Sequence, residues 1–349
     1  MNALEAIELL QSLIRIPSFS REEDKTADLL SEFMSKRVSI SRHKNNIWAS
    51  SPMDDKKPTI LLNSHHDTVK PVDGWIADPF GAKLEDGRLT GLGSNDAGAS
   101  LVCLLSAFLR IFKTNRKSNL VFAATSEEEI SGDGGIVSII KKLPAIDLAI
   151  VGEPTRMKAA IAEKGLMVVD CKANGISGHA AREEGKNAID VALRDIQWLH
   201  NYKFSKESDT LGPVKMTVTM INSGIQHNVI PDSCEFTIDV RSTDEFTNDE
   251  ILEVISKNIE SKATARSLRL QPSGLGADHP LYKTAMELGI SVYGSPTLSD
   301  QAFMPWPSIK MGPGDSARSH TADEYIFVEE IEKGIEKYVL FLNELDEQL

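Results

Sequence analysis

The hydrophobic rhythm of this chain changes near residue 165, and that change limits the folds open to it. Before that point, short runs that are apolar on both faces (residues 59–63, 119–125 and 148–152) alternate with helical stretches such as residues 97–112. Strands of that kind must be covered on both faces, so the pattern predicts a mainly parallel sheet between helical layers. Beyond 165 the period shortens to two. Residues 166–171 read as a strand, and residues 186–200 as a helix with Ala188, Ile189, Ala192, Ile196 and Leu199 on one stripe. Val214, Met216, Val218 and Met220 then alternate with polar partners, as do Cys234, Phe236, Ile238 and Val240. Residues 248–263 are helical in pattern and residues 267–271 return as a strand. Strand, helix, strand, strand, helix, strand is the order of a split βαβ unit. After Pro280 the first rhythm resumes, with a strand at 308–312 and a final helix from Val328. The expected fold is α/β: a mainly parallel, doubly wound domain (1–164 and 275–349) with an inserted ferredoxin-like α+β domain (165–274).

Length agrees, since 349 residues exceed one ordinary core. Hydrophobic residues at 41% and charged residues at 26% are those of an ordinary folded chain. A net charge of −13 supplies no basic face for phosphates, so nucleic acid is not an expected partner. The longest apolar stretch, residues 101–109, is too short to span a bilayer, so no membrane is expected either. The amphipathic start (Leu4, Ile7, Leu10, Ile14) lacks the basic opening and small-residue cleavage site of a signal peptide, which leads us to expect a cytoplasmic protein. Cys103, Cys171 and Cys234 are odd in number, widely spaced and set in apolar patterns, as buried reduced thiols are.

The chemistry lies at the ends of the strands. In open α/β sheets ligands collect at the carboxyl ends. Residues 59–63 run into Ser64-His65-His66-Asp67, residues 119–125 into Ser126-Glu127-Glu128-Glu129, and residues 148–152 into Glu153. Residues 308–312 lead through Pro313-Gly314-Asp315 to His320, and Asp96 opens a helix after Gly91-Leu92-Gly93. Taken singly, each has a plain explanation: Asp96 a helix N-cap, the glutamates a solvated run, the histidines surface residues. Together they would crowd carboxylates at one sheet edge, which costs stability unless cations share the charge. Asp96, Glu129 and Glu153 bring three negative charges, while His65 and His320 coordinate as neutral rings. Two divalent ions would then leave about one net positive charge, suited to an anionic tetrahedral intermediate. Mixed imidazole and carboxylate donors suit zinc, with cobalt or manganese as substitutes. No Gly-x-Ser-x-Gly occurs, which argues against a serine hydrolase.

Along essentially its whole length, the sequence resembles the M20 family of metallopeptidases and deacylases. The matching segments are Ser64-His65-His66-Asp67, Gly91-x-Gly93-x-x-Asp96, Glu127-Glu128-Glu129, Gly152-Glu153-Pro154-Thr155 and Ser319-His320-Thr321-Ala322-Asp323-Glu324. The resemblance implies that His65 and Glu153 hold one metal, that Glu129 and His320 hold the other, and that Asp96 bridges. It also implies that Asp67 orients His65 and that Glu128 is the general base, taking a proton from the attacking water and passing it to the leaving nitrogen. The inserted domain is similar to the family's dimerisation lid, so a homodimer through residues 165–274 is expected. Within it, Gly178-His179-Ala180 matches the lid histidine that reaches a partner's active site to stabilise the oxyanion. Asn228 and Arg241 fall in segments that handle the substrate's carboxylate, and Gly312-Pro313-Gly314 resembles a loop whose N–H groups receive it, with Arg318 in reserve. The chain departs from the family after the bridging aspartate, where Asp96-Ala97-Gly98-Ala99-Ser100 lacks the usual lysine-glycine.

Within the family, Glu153, its Gly-Glu-Pro-Thr setting and the run from His320 to Tyr325 lean toward N-acyl-amino-acid deacylases like acetylornithine deacetylase. The expected reaction removes an Nα-acetyl or Nα-succinyl group from ornithine or citrulline in arginine biosynthesis. Succinyl-diaminopimelate desuccinylase, N-acyl-lysine deacylase, and a dipeptidase or aminoacylase are the alternatives. A metal-binding module without catalysis would leave Glu128 and His179 without a purpose.

Overall fold

The computed structural model describes residues 1–182 and 184–349. The chain forms two compact units: Met1–Ile161 with Leu275–Tyr293 and Ser299–Leu349, and Ala162–Gly274 with Gly294–Leu298. The second unit thus begins three residues before the expected boundary at 165 and takes in the short segment 294–298.

In the first unit, Thr59–His65 lies at the centre of the sheet, parallel to both Asn119–Thr125 and Leu148–Val151. Ser308–Lys310 continues the parallel set beside Leu148–Val151. At one flank a hairpin, Ile40–His43 with Asn46–Ser50, adds antiparallel to Asn119–Thr125. At the other flank Ala159–Glu163 pairs antiparallel with Ser308–Lys310. The centre is parallel as expected, and both edges are antiparallel. Every residue of Thr59–His65 and Asn119–Thr125 is buried. One face packs on the helices Ala3–Ile14, Ala99–Ile111 and Val328–Gln348, through Ile60, Leu62, Leu120, Phe122 and Ile150. The opposite face, through Leu61, Val121 and Ala149, packs on the short helix Ile136–Ile139.

The helix expected at 97–112 begins two residues later. Ser94–Gly98 is a separate turn in which Asp96 (φ −116°, ψ 101°) and Ala97 are not helical, and the Asp96–Ala97 peptide is cis. At Gly98, where the sequence departs from the family, a Cβ would overlap the Gly93 carbonyl and stand 2.6 Å from Leu10 Cδ1. The turn therefore packs directly on the first helix.

The second unit is a four-stranded antiparallel sheet in the order Lys215–Ser223, Ser233–Arg241, Met167–Asn174, Lys262–Ala265. That is the strand order of a split βαβ fold. Its core joins Met167, Val169, Phe236 and Ile238 to Val191, Leu199, Ile251 and Ile255 of the helices Ala188–Asn201 and Asn248–Asn258. One expected strand is displaced. The second helix stops at Asn258, and the fourth strand is Lys262–Ala265, not residues 267–271. Its inward side chains are two alanines, too small to print a hydrophobic rhythm. The three cysteines are free and buried, and no helix among the described residues is long and apolar enough to cross a membrane.

Candidate metal centre

Strand ends of the first unit bring His65, Glu128, Glu129 and Glu153 together, and two loops add Asp96 and His320. His65 closes the central strand. Its Nδ1–H donates to the backbone carbonyl of Asp67 (3.0 Å), which fixes the tautomer and turns Nε2 toward the acids. From Nε2, Asp96 Oδ1 is at 3.3 Å, Glu153 Oε1 at 3.6 Å and Glu128 Oε2 at 4.0 Å. His320, in a left-handed backbone conformation, sets its own Nε2 2.9 Å from Glu129 Oε2 and 3.7 Å from Asp96 Oδ2. Asp96 thus shows one oxygen to each imidazole. Two donor atoms on one tetrahedral ion at about 2.0–2.2 Å stand roughly 3.4 Å apart, so these spacings fit mixed His and carboxylate ligation.

The neighbouring histidine is different. His66 is held between the Thr26 hydroxyl at Nδ1 (2.9 Å) and the Asn45 carbonyl at Nε2 (2.8 Å), and burial lowers it to about pKa 4. It is a satisfied core residue.

Asp67 faces His65 and serves a second group as well. It meets the Nδ1–H of His65 mainly through its carbonyl, with the nearer carboxylate oxygen at 3.5 Å. That carboxylate instead accepts the backbone N–H groups of Glu128 (3.1 Å) and Glu129 (3.2 Å) and the Ser20 hydroxyl (2.7 Å). One aspartate therefore steadies both the first histidine and the turn that presents the two glutamates. Glu127, in a left-handed conformation, turns away and accepts the Gly134 N–H (3.1 Å), which leaves Glu128 and Glu129 as the pair facing the centre.

Burial dominates the electrostatics. Desolvation, reinforced by Glu153, Asp300 and Glu129, lifts Glu128 well above the usual carboxylate range. Desolvation with Asp96 and Glu129 does the same to Glu153, although His65 and Lys310 oppose it. Burial works against a charged His65, but Asp67, Asp96, Glu128 and Glu153 together raise it well above an ordinary imidazole. The Glu129 hydrogen bond raises His320 to about 9. The pattern is that of a cluster built to share its charge with cations.

The carboxylate-reading candidates are engaged differently. Gly312 donates its N–H to Thr155 Oγ1 (3.0 Å). Gly314 has a left-handed backbone (φ +86°), and its carbonyl accepts the Arg156 N–H. Arg318 pairs with Glu330 (2.7 Å) and lies over the Tyr325 ring (4.5 Å). His179, Asn228 and Arg241 belong to the second unit. His179 lies on a two-residue strand paired with Val229–Ile230, and its Nδ1 accepts the Ala181 N–H (3.1 Å). Asn228 accepts the Ala180 N–H at its carbonyl, while its side-chain Oδ1 is buried with no hydrogen-bond partner among the described residues. Arg241 makes a two-pronged pair with Asp239 (2.8 and 3.1 Å).

Two acids escaped the sequence reading as individuals. Asp300, 2% exposed, accepts the Thr125 hydroxyl (2.7 Å) at the end of a strand that delivers the glutamates, and burial raises it to about 6. Glu324, raised to about 8 by burial and Asp96, underlies the Asp96 turn. Their partners are backbone groups, one hydroxyl and the Asn63 amide, which leave no spacing signature.

Comparison with known proteins agrees with this geometry. Residues 61–344 match the profile of Peptidase family M20/M25/M40. The chain is 28% identical to the acetylornithine deacetylase of Klebsiella pneumoniae (strain 342) over 355 residues, covering 92% of each chain. It is 29% identical to succinyl-diaminopimelate desuccinylase 2 of Ruegeria sp. (strain TM1040) over 276 residues, covering 74% of this chain and 70% of that one. Among solved structures, aminopeptidase PepT from Bacillus cereus ATCC 10987 superposes with a TM-score of 0.78 at 19% identity, covering 99% of both chains. The YXEP protein of Bacillus subtilis, described as a dinuclear metal binding peptidase from the M20 family, superposes at 0.73 with 16% identity, covering 99% and 97%.

Proposed function

The chain belongs to Peptidase family M20/M25/M40 and is a metal-dependent amidohydrolase, and from that membership we propose that it removes the Nα-acyl group from an N-acyl-L-amino acid. Acetylornithine deacetylase-type chemistry on N-acetyl- or N-succinyl-ornithine or -citrulline is the specific reading, supported by one relative named an acetylornithine deacetylase and another named a succinyl-diaminopimelate desuccinylase. The observation that carries the two-metal part is the pair of imidazoles facing the two oxygens of Asp96.

In this reading His65 and Glu153 would hold one ion and Glu129 and His320 the other, with Asp96 shared between them. Zinc is the favoured metal, with cobalt or manganese as substitutes. Bound there, the ions supply Lewis-acid polarisation of the scissile carbonyl and lower the pKa of the attacking water. Glu128 carries the proton. Its carboxylate faces the centre with a raised proton affinity, so it can take a proton from the water and return it to the amide nitrogen as that nitrogen leaves. Asp67 fixes the backbone of this base, so the base and the neighbouring Glu129 keep one register.

The second unit contributes the remaining roles. Its edge strand Lys215–Ser223 exposes Met220 (63%) and Ile221 (55%), which supports a homodimer through this unit. His179 then serves as the oxyanion donor in a partner's site. Arg241, with Asn228, reads the substrate's free α-carboxylate, with Gly314 and Arg318 as further candidates.

Turnover of N-acetyl and N-succinyl derivatives of ornithine, citrulline, lysine and diaminopimelate, against a set of dipeptides, tests the reading on zinc- or cobalt-loaded protein. N-acyl amino acids should be the better substrates by kcat/KM. Preference for dipeptides would replace the deacylase assignment with a peptidase one.

A further inference from the structure

Outside the proposed ligand set, one group of side chains is devoted to the loop side of the centre. The Glu324 carboxylate is 2% exposed and accepts three backbone N–H groups: Gly93 at 3.1 Å on one oxygen, Asn95 at 2.8 Å and Asp96 at 2.9 Å on the other. Asn95, fully buried, reaches back the other way. Its Nδ2 donates to the Asp315 carbonyl (3.1 Å) and meets Ser319 Oγ at 3.3 Å, and its Oδ1 accepts the Asp315 N–H (2.9 Å). Gly314 lies so close to that Oδ1 that a Cβ there would overlap it. Two segments, 93–96 and 314–324, are thus laced together in both directions.

These segments carry Asp96 and His320, whose facing atoms are 3.7 Å apart. Neither is held by regular structure. Asp96 lies in a non-helical turn, His320 has positive φ, and the helix that follows the turn has no side-chain N-cap. A strand end is located by its ladder, as His65 is, but a loop ligand is located only by what grips its backbone.

We infer that Glu324 and Asn95 are positioning residues that form a single clasp, fixing the separation of Asp96 and His320 and so the affinity of the ion between them. The inference rests on the two-ion reading above and requires no particular substrate. A carboxylate is needed because three N–H donors converge on it. Glutamine would offer one oxygen and would set its own NH2 against the Gly93 N–H.

Competition titration of Zn²⁺ against a chromophoric chelator tests this on the unmodified chain, Glu324→Gln, Asn95→Ala and the double variant, with folding followed by circular dichroism. Each single variant should lose roughly 10–100-fold in affinity for the ion that His320 holds, with a smaller loss for the other, which shares only Asp96 with the clasp. The double variant should be little worse than the weaker single one, because both act through one clasp. A merely structural role would lower the melting temperature without selecting one ion. Affinities within about twofold of the unmodified chain in both single variants, or losses that multiply in the double variant, overturn the clasp. Should Glu324→Gln not fold, Asn95→Ala, which removes no charge, decides the question by the same criterion. If the unmodified chain holds fewer than two ions, the two-ion reading falls, and the clasp with it.

Discussion

The two units bury polar groups to opposite effect. In the second, a buried acid such as Asp195 is satisfied by what lies beside it, the N–H groups of Glu260 and Ser261 and the Ser261 hydroxyl. Asn248 is likewise absorbed by Ser242 and the carbonyls of Leu268 and Leu270. In the first, Glu128 and Glu153 are pushed well above their ordinary range by burial and by neighbouring carboxylates. Those groups of the second unit serve its own fold, whereas the centre in the first gathers acids and imidazoles in an arrangement suited to cations. Proton transfer and metal-dependent stability should therefore both trace to the first unit.

The sharpest break in that comparison comes from Glu128→Gln. The amide keeps shape but cannot accept the proton, so activity should fall by roughly 10²–10⁴-fold while metal content stays unchanged. Glu127→Gln is the control, because Glu127 serves the Gly134 N–H and not the centre. A dead Glu127→Gln beside an active Glu128→Gln, in steady-state kinetics, would shift the base by one residue.

Metal removal should show next. His320 (raised to about 9), Glu324 (about 8), Asp300 (about 6), Glu128, Glu153 and His65 all have folded-state values above their ordinary ones. A raised group contributes stability below its unfolded pKa and loses it as pH rises through the folded one. Chelator-stripped protein should accordingly melt at a lower temperature near pH 8 than near pH 6. Zinc at about 100 times its Kd adds about 2.7 kcal/mol, and it requires deprotonated ligands, so the zinc-induced rise in melting temperature should grow with pH. An equal rise at both pH values, by calorimetry, would mean that the raised groups are not the ones the metal relieves.

How far such a site can be read from sequence follows from what holds each residue. His65, Glu129 and Glu153 were legible because two-sided apolar runs mark buried parallel strands, and the chemistry sits where those runs stop. Asp96 is legible as a residue but not in conformation, since it reads as opening a helix over 97–112 and lies instead in a turn that delays the helix to Ala99. Glu324 and Asp300 were opaque because their work is done on backbone N–H groups, a hydroxyl and an amide, which any sequence provides. The Thr155 hydroxyl that meets the Gly312 N–H is hidden for a related reason: a glycine reports that backbone can approach closely, not which acceptor it meets. In the second unit the alternating strands are plain except at Met220, which a register shift after Val218 turns out to solvent, and the one misplaced strand is the one whose inward residues are alanines.

Arg241→Ala sharpens the comparison from the other side, because it asks whether the second unit contributes to the reaction. Loss of a charged hydrogen bond to the substrate carboxylate costs roughly 1.5–3 kcal/mol, about one to two decades in kcat/KM. Metal content should not change. Substrates with an amidated or esterified carboxylate should be poor for the unmodified enzyme and no worse for the variant. Asp239 holds this guanidinium at 2.8 Å, so Asp239→Asn should weaken the effect by loosening its aim. Equal turnover of free-acid and amide forms by the unmodified enzyme would remove the carboxylate pocket from the argument.

The smallest effect tests whether stability in the second unit is independent of the metal. Thr247 opens the helix Asn248–Asn258 with a capping box: its hydroxyl accepts the Glu250 N–H at 3.3 Å, and the Glu250 carboxylate accepts the Thr247 N–H at 2.8 Å. Thr247→Ala removes the first of these bonds and costs about 1 kcal/mol, roughly a fivefold faster amide exchange within that helix. The increment should be the same with and without zinc, because nothing in the cap carries a ligand. Exchange at Gly93, Asn95 and Asp96, whose N–H groups end on Glu324, should instead slow on zinc loading and ignore the Thr247 change. Hydrogen exchange read by mass spectrometry resolves both segments in one experiment. Zinc-dependent protection of the capped helix equal to that of the 93–96 turn would mean that the two units share one cooperative opening, and the division of labour between them would fail.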